Sequence, residues 1–188
     1  MIRQVHYFDK PGKENTEKCV EIAASLLDEG YKHIVVATTT GDTGAAIAKK
    51  LQGKTVNLVV VTHPFGFKEP NHFELLPENR DAIQKHGGKI YTTTILTHSI
   101  ETAFAQKFEG LYPTMIVSQS LRRLGEGIKV CCEIVLEACD GGLIPEFEEV
   151  IAVAGTARGA DTVCIIKSAA SKRFLDLRVL EIAAKPRQ

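Results

Sequence analysis

Apolar residues along the chain follow two alternating patterns, and the alternation itself predicts a layered fold. Residues 33–37, 56–61, 150–154 and 163–166 are short, nearly continuous β-branched runs without a polar face, as expected of strands covered on both sides. Between these runs the spacing turns helical. Cys19, Val20, Ala23, Ala24 and Leu27 mark one helix, capped by Asn15 or Thr16 and stopped at Gly30, and residues 45–51 mark a second, ended by Gln52-Gly53. A third covers residues 78–86, closes on Gly87-Gly88 and leads into a short strand at 89–92. Ser99 caps a fourth that runs to Phe108, and Pro113 opens a fifth that runs to Leu124. Helix and strand in alternation predict an α/β sandwich.

Four further segments refine this picture. Residues 5–8 predict another short strand, closed by the turn Asp9-Lys10-Pro11-Gly12, whereas the apolar tail 177–183 fits helix and strand alike. The run 163–166 follows residue 154 too closely for a parallel crossover, so it must return antiparallel. Residues 62–75 combine proline, glycine, phenylalanine and two histidines without periodicity, which predicts a long loop and a candidate lid. Residues 128–139 are helical and apolar except for Lys129, Glu133 and Glu137, which recur every fourth residue. Such a helix is buried apart from one seam, open to water, a partner or a ligand.

Candidate chemistry concentrates in two turns. Thr38-Thr39-Thr40-Gly41-Asp42-Thr43-Gly44 joins strand 33–37 to helix 45–51. A buried strand that breaks into hydroxyls and glycines before a helix presents free backbone N–H groups and a positive dipole end, which suits phosphate or carboxylate. Glycine at such a turn also serves backbone geometry alone. The second turn, Gly155-Thr156-Ala157-Arg158-Gly159-Ala160-Asp161-Thr162, follows strand 150–154.

Composition narrows the partners. The 188 residues are read as one domain, 1–188, large enough to bury a core without disulfides or metals. Lysine plus arginine equals aspartate plus glutamate, 23 each, so no overall field favours nucleic acid or an anionic membrane, and an anionic partner must be bound locally. Cys19, Cys131, Cys132, Cys139 and Cys164 lie in apolar stretches without zinc spacing and read as buried thiols of a cytoplasmic protein. No leader-like segment and no membrane-spanning apolar run is visible, and no metal site is expected. Homo-oligomerisation stays open.

Each candidate residue has a structural role beside a functional one. Asp42 is a first-turn helix residue or a catalytic base. Arg158, between small neighbours, is a ligand contact or a solvated loop arginine. Asp161 and Thr162 hold their turn through side-chain to backbone bonds or touch ligand. Asn15 and Thr16 are helix caps whose helix starts near the same sheet edge. Glu133 pairs with Lys129 or handles a proton. His63, His72 and His98 are too scattered for a metal site.

Two stretches carry a resemblance. Residues 34–51 followed by 56–63 resemble the C-terminal α/β domain of pyruvate kinase, where a strand ends in a Thr-x-Ser-Gly-x-Thr-Ala-type loop, and residues 150–166 resemble that domain's last strand pair. The whole chain resembles more closely a family of stand-alone proteins of pyruvate kinase C-terminal-like fold. Its blocks stand here as Tyr7-Phe8-Asp9-Lys10-Pro11-Gly12-Lys13-Glu14-Asn15-Thr16, Gly41-Asp42-Thr43, Lys129-Val130-Cys131-Cys132-Glu133 and Arg158-Gly159-Ala160-Asp161-Thr162. The resemblance implies a three-layer α/β/α sandwich with a mostly parallel five-stranded sheet of order 3-2-1-4-5, strand 5 antiparallel. Residues 33–37 would be strand 1 and 150–154 strand 4, so both glycine-rich turns open onto one crevice at a topological switch point.

In pyruvate kinase the corresponding loops hold the phosphates of a sugar bisphosphate, and an FMN-like ligand fits what is associated with the stand-alone proteins. The resemblance therefore implies a phosphorylated small molecule or nucleotide, with FMN as candidate cofactor. It would be held by Thr38, Thr39, Thr40, Gly41, Asp42, Thr43, Asn15, Thr16, Gly155, Thr156, Arg158, Gly159, Asp161, Thr162 and Glu133. Pyruvate kinase catalysis is not implied, because it belongs to a separate barrel domain. Pyruvate kinases often carry arginine or lysine after the loop glycine; this chain has Asp42, which suits the helix dipole but repels phosphate. Two functions compete: a binding protein, and an enzyme using the same crevice. A weaker likeness of residues 37–46 to threonine synthase-like pyridoxal phosphate enzymes is set aside, because this chain has none of that family's other motifs.

Overall fold

In the computed structural model, which describes residues 2–187, the β-branched runs assemble into a single seven-stranded sheet. Its strands are β1 (His6–Phe8), β2 (His33–Thr38), β3 (Asn57–Thr62), β4 (Lys89–Thr92), β5 (Glu149–Ala154), β6 (Thr162–Lys167) and β7 (Arg178–Pro186). They stand in the order β1-β7-β6-β5-β2-β3-β4. β2 lies inside the sheet, parallel to β3 on one side and to β5, the central strand, on the other, and β4 extends this parallel set beyond β3. β6 returns antiparallel to β5, with Val153 opposite Val163, as the short connection requires.

The fold is α/β with a mostly parallel sheet, but the expected five-stranded sheet of order 3-2-1-4-5 needs correction to seven strands, because β7 and β1 are added beyond its antiparallel strand. The ambiguous tail is a strand: β7 pairs antiparallel with β6, and β1 then pairs parallel with β7. The tail's burial alternates imperfectly, so its own pattern does not select strand over helix. The open edge of β6 does, because its unpaired N–H and C=O groups need a partner.

Strand alternation builds two cores on opposite faces of the sheet. Ile34, Val36, Val60 and Val153 point to one face, against α1 (Thr16–Leu26), α2 (Asp42–Lys50) and α3 (Pro77–Lys85). Val35, Val59, Ala152 and Cys164 point to the other, against α6 (Glu126–Asp140). Each fully buried valine or isoleucine contributes about 1.5–3 kcal/mol, so the alternation fixes the register strongly. Two smaller helices, α4 (Ile100–Phe108) and α5 (Pro113–Arg122), form a hairpin before α6, and α4 buries none of its residues.

All five cysteines are free and buried. Burial pushes the Cys19 and Cys132 thiols up to about 12 and the Cys139 thiol up to about 11, so they stay protonated and serve as small apolar groups. Among the described residues no helix is long and apolar enough to cross a membrane.

Candidate functional site

The first loop leaves β2 through hydroxyls that are bonded locally. Thr38 Oγ1 accepts the Gly41 N–H at 3.1 Å, and Gly41 turns the chain with φ 100° directly before α2. A Cβ there would lie 2.4 Å from Asn79 Cβ and 2.7 Å from Leu75 Cδ1, so position 41 needs glycine for both conformation and space. The variant Gly41→Ala is expected to lose about 1–3 kcal/mol of unfolding free energy, measured by denaturant titration.

Asp42 is held on the side of α3. Its carboxylate accepts Thr40 Oγ1 at 2.5 Å and Asn79 Nδ2 at 2.9 Å. These two hydrogen bonds, with the charge of Arg158 adding to them, hold the carboxyl below its ordinary 3.8. A carboxylate stabilised in this way is a poor base. Its charge is compensated within the loop rather than aimed at an incoming anion.

The second loop is organised from beneath by Asp161. This fully buried side chain accepts the N–H groups of Gly12 and Thr156 on Oδ2, each at 3.0 Å, and the Thr162 hydroxyl on Oδ1 at 2.8 Å. Thr16 Oγ1 donates to the Lys13 carbonyl at 2.6 Å and accepts the Ala160 N–H at 2.9 Å. Gly159 has φ 75°, and a Cβ there would lie 2.4 Å from Lys13 Cα. The N-terminal turn is thus packed and hydrogen-bonded onto the loop after β5. Asn15 precedes α1 without a side-chain cap; its amide closes the turn by donating to the Lys10 carbonyl at 2.8 Å.

Both loops open onto one cleft of about 820 Å³. Of the residues singled out from sequence, Thr16, Thr38, Thr39, Thr40, Asp42, Thr43, Gly155, Arg158, Gly159 and Glu133 line it, whereas Asn15, Gly41, Thr156, Asp161 and Thr162 stand behind the lining. The latter act through the backbone they hold. Sequence reasoning missed Lys13, His63, Phe67, His98, Arg122 and Glu126, which also line the cleft. The predicted lid hinted at His63 and Phe67, Lys13 stands in one of the blocks that carry the resemblance, and His98 is weighed only as a metal ligand; nothing local marked Arg122 or Glu126.

The polar stripe of α6 forms a wall of the cleft. Lys129, Glu133 and Glu137 are only 3%, 5% and 4% exposed, so their charges are settled among themselves. Lys129 Nζ pairs with Glu133 Oε2, and Glu133 Oε1 accepts the Thr97 N–H at 3.1 Å and its hydroxyl at 2.5 Å. Glu137 Oε1 accepts the Leu96 N–H at 3.3 Å. Burial, and then the neighbouring Glu133 charge, push the Glu137 carboxyl up to about 8. The connection between β4 and α4 is thereby fastened onto α6.

At the cleft mouth Arg158 reaches towards the loop after β3. Its Nη2 lies 3.9 Å from Glu74 Oε1, and the other Glu74 oxygen bonds His63 Nδ1 at 2.8 Å. The His63 ring packs on Phe67 with centroids 4.4 Å apart. Among the described residues no group of three or more His, Cys, Asp or Glu side chains is placed to hold a metal ion.

Two solved pyruvate kinases from Cryptosporidium parvum are each 17% identical, with TM-scores of 0.43 and 0.40, and match over 85% of this chain. The match takes in 24% and 23% of those chains, so this protein spans about a quarter of their length. An O-ureido-L-serine synthase is 19% identical with a TM-score of 0.31, over 52% of this chain and 30% of its own. The model of the pyruvate kinase alpha/beta domain matches residues 16–166, from the first turn of α1 to the end of β6. The chain belongs to the pyruvate kinase alpha/beta domain family.

Proposed function

We propose that the cleft binds a phosphorylated small molecule or nucleotide, FMN among the candidates, with its phosphate between the loops 38–44 and 155–162. The observation that carries this reading is that two glycine-rich loops, more than a hundred residues apart, line one cleft together with Arg158. The opening N–H groups of α2 have no carbonyl to bond within the helix. Ala157 and Gly159, both at positive φ, have backbone N–H groups with no acceptor among the described residues. Arg158 is half exposed, and its one ion pair among the described residues is the 3.9 Å approach to Glu74, which leaves most guanidinium N–H groups able to grip phosphate. The volume of about 820 Å³ is that of an ordinary small-molecule site.

The full-length protein should shift in thermal stability with members of a panel of nucleotides, FMN and sugar phosphates. Arg158→Ala should weaken the best binder about ten- to hundredfold, by calorimetry. The absence of any shift, together with no copurified ligand by native mass spectrometry, would sink the proposal. The second reading, an enzyme working on the same ligand, is favoured by the buried carboxyl of Glu137 rather than by Asp42 or Asp161, whose oxygens are already occupied.

A further inference from the structure

Two carboxyl groups and one ammonium share the buried stripe of α6. Lys129 pairs with Glu133, so a second bare carboxylate at Glu137 would have no ion-pair partner of its own among groups only 3–5% exposed. Such an arrangement is relieved when one carboxyl keeps its proton. Glu137 is the one that does, since Glu133 takes Lys129 and both donors of Thr97.

The remaining hydrogen bonds say where that proton sits. Glu137 Oε1 accepts from Leu96, so the O–H belongs to Oε2, which has no hydrogen-bond partner among the described residues and, in a residue lining the cleft, keeps some accessible surface. A hydroxyl donor left open to the cleft bonds water there, and an acceptor on an entering molecule can take that water's place. The placement along α6 says which part of a ligand that is. α6 begins against the second glycine-rich loop, where a Cβ on Gly127 would lie 2.1 Å from Thr162 Oγ1. Glu137 follows ten residues later, about 15 Å along the axis.

Apart from Lys129, which Glu133 holds, no unpaired cation stands near it among the described residues. Arg122 is taken by Glu126 at 2.6 Å and His63 by Glu74 at 2.8 Å. His98, from the connection over α6, is held below its ordinary 6.5 by burial and by Lys129. Asp140, on the same helix, adds only negative charge, and Lys13 and Arg158 belong to the loop end of the cleft.

We propose that Glu137 donates a hydrogen bond to the uncharged far end of the ligand, a carbonyl oxygen or ring nitrogen, so that the cleft selects phosphomonoesters with a neutral heterocycle over bisphosphates. This rests on the reading of the glycine-rich loops as the phosphate end. It makes Glu137 the residue that separates a mononucleotide from a sugar bisphosphate, whose second phosphate would meet Glu133 and no free cation.

Calorimetry on the full chain with FMN, AMP and a hexose bisphosphate as probes tests the assignment. Binding of the better mononucleotide should be constant from about pH 7 to the carboxyl's value of about 8, then weaken about tenfold per pH unit. Glu137→Gln keeps a donor, so its affinity at about pH 7 should stay within about threefold of the parent and its pH profile should be flat. Glu133→Gln, a second variant in case the first fails to fold, hands Lys129 to Glu137 and should move the onset of weakening to lower pH. A flat parental profile, a slope that survives in Glu137→Gln, or the bisphosphate as tightest probe would overturn this inference while leaving phosphate binding in place. No binding of any probe would remove the phosphate reading and this inference with it.

Discussion

Asp161→Ala should lower the free energy of unfolding by about 3–4 kcal/mol, read as a reduced denaturant midpoint at an unchanged slope. The carboxylate is completely buried, and three donors depend on it: the N–H groups of Gly12 and Thr156 and the hydroxyl of Thr162. Alanine would leave all three without an acceptor and would untie the N-terminal turn from the loop after β5. Asp161→Asn gives a sharper contrast. Its amide oxygen can serve Gly12 and Thr156, and the Thr162 hydroxyl can rotate to accept from the amide nitrogen, so a loss of about 1 kcal/mol is expected. Amide hydrogen exchange should show the Gly12 and Thr156 protons losing protection in the alanine variant and keeping most of it in the asparagine one. Were Asp161 a ligand contact only, both variants would alter binding and leave stability unchanged.

The second large effect is expected on α6. Lys129→Met removes the single cation of a buried stripe with two carboxyls and should cost about 3–5 kcal/mol near pH 8, measured by denaturant titration. The dependence on pH follows from Glu137. Its carboxyl is raised from the ordinary 4.5 to about 8, so between those values the folded protein holds a proton that the unfolded chain has released. Stability therefore falls as pH rises through that window and levels off above it. Without Lys129, Glu133 becomes a lone buried carboxylate, and such a group is driven to take up a proton. The cost of the substitution should then be smallest near pH 5 and should grow towards pH 8. An equal cost at both values would mean that the lysine acts only through the packing of its aliphatic stem.

Particular residues show how far local pattern reaches. The β-branched runs of β2, β3, β5 and β6 are buried on both faces whatever they pair with, so their strand character and the antiparallel return of β6 were legible. Asp161 and Asn15 show the limit. Both are turn-type residues in glycine-rich contexts, and sequence leaves their function open. Asp161 proves to be an anchor because Gly12, 149 positions away, brings it an N–H. Likewise the pairing of Lys129 with Glu133 follows from helical spacing, but the burial that raises the Glu137 carboxyl depends on the connection that covers α6, against which the Leu96 N–H works.

The sequence by itself determined the alternation of helices and strands, the two glycine-rich turns, and the polar stripe on an otherwise apolar helix. These are local properties, set by side-chain period and by backbone freedom within a few residues. Only the tertiary structure decided that the tail is the strand β7 and that five of the expected contacts stand behind the lining of the cleft the two loops share. Those outcomes depend on an open sheet edge, on the crossovers that bring β5 beside β2, and on hydrogen bonds between residues far apart in the chain, none of which has a signature in local spacing.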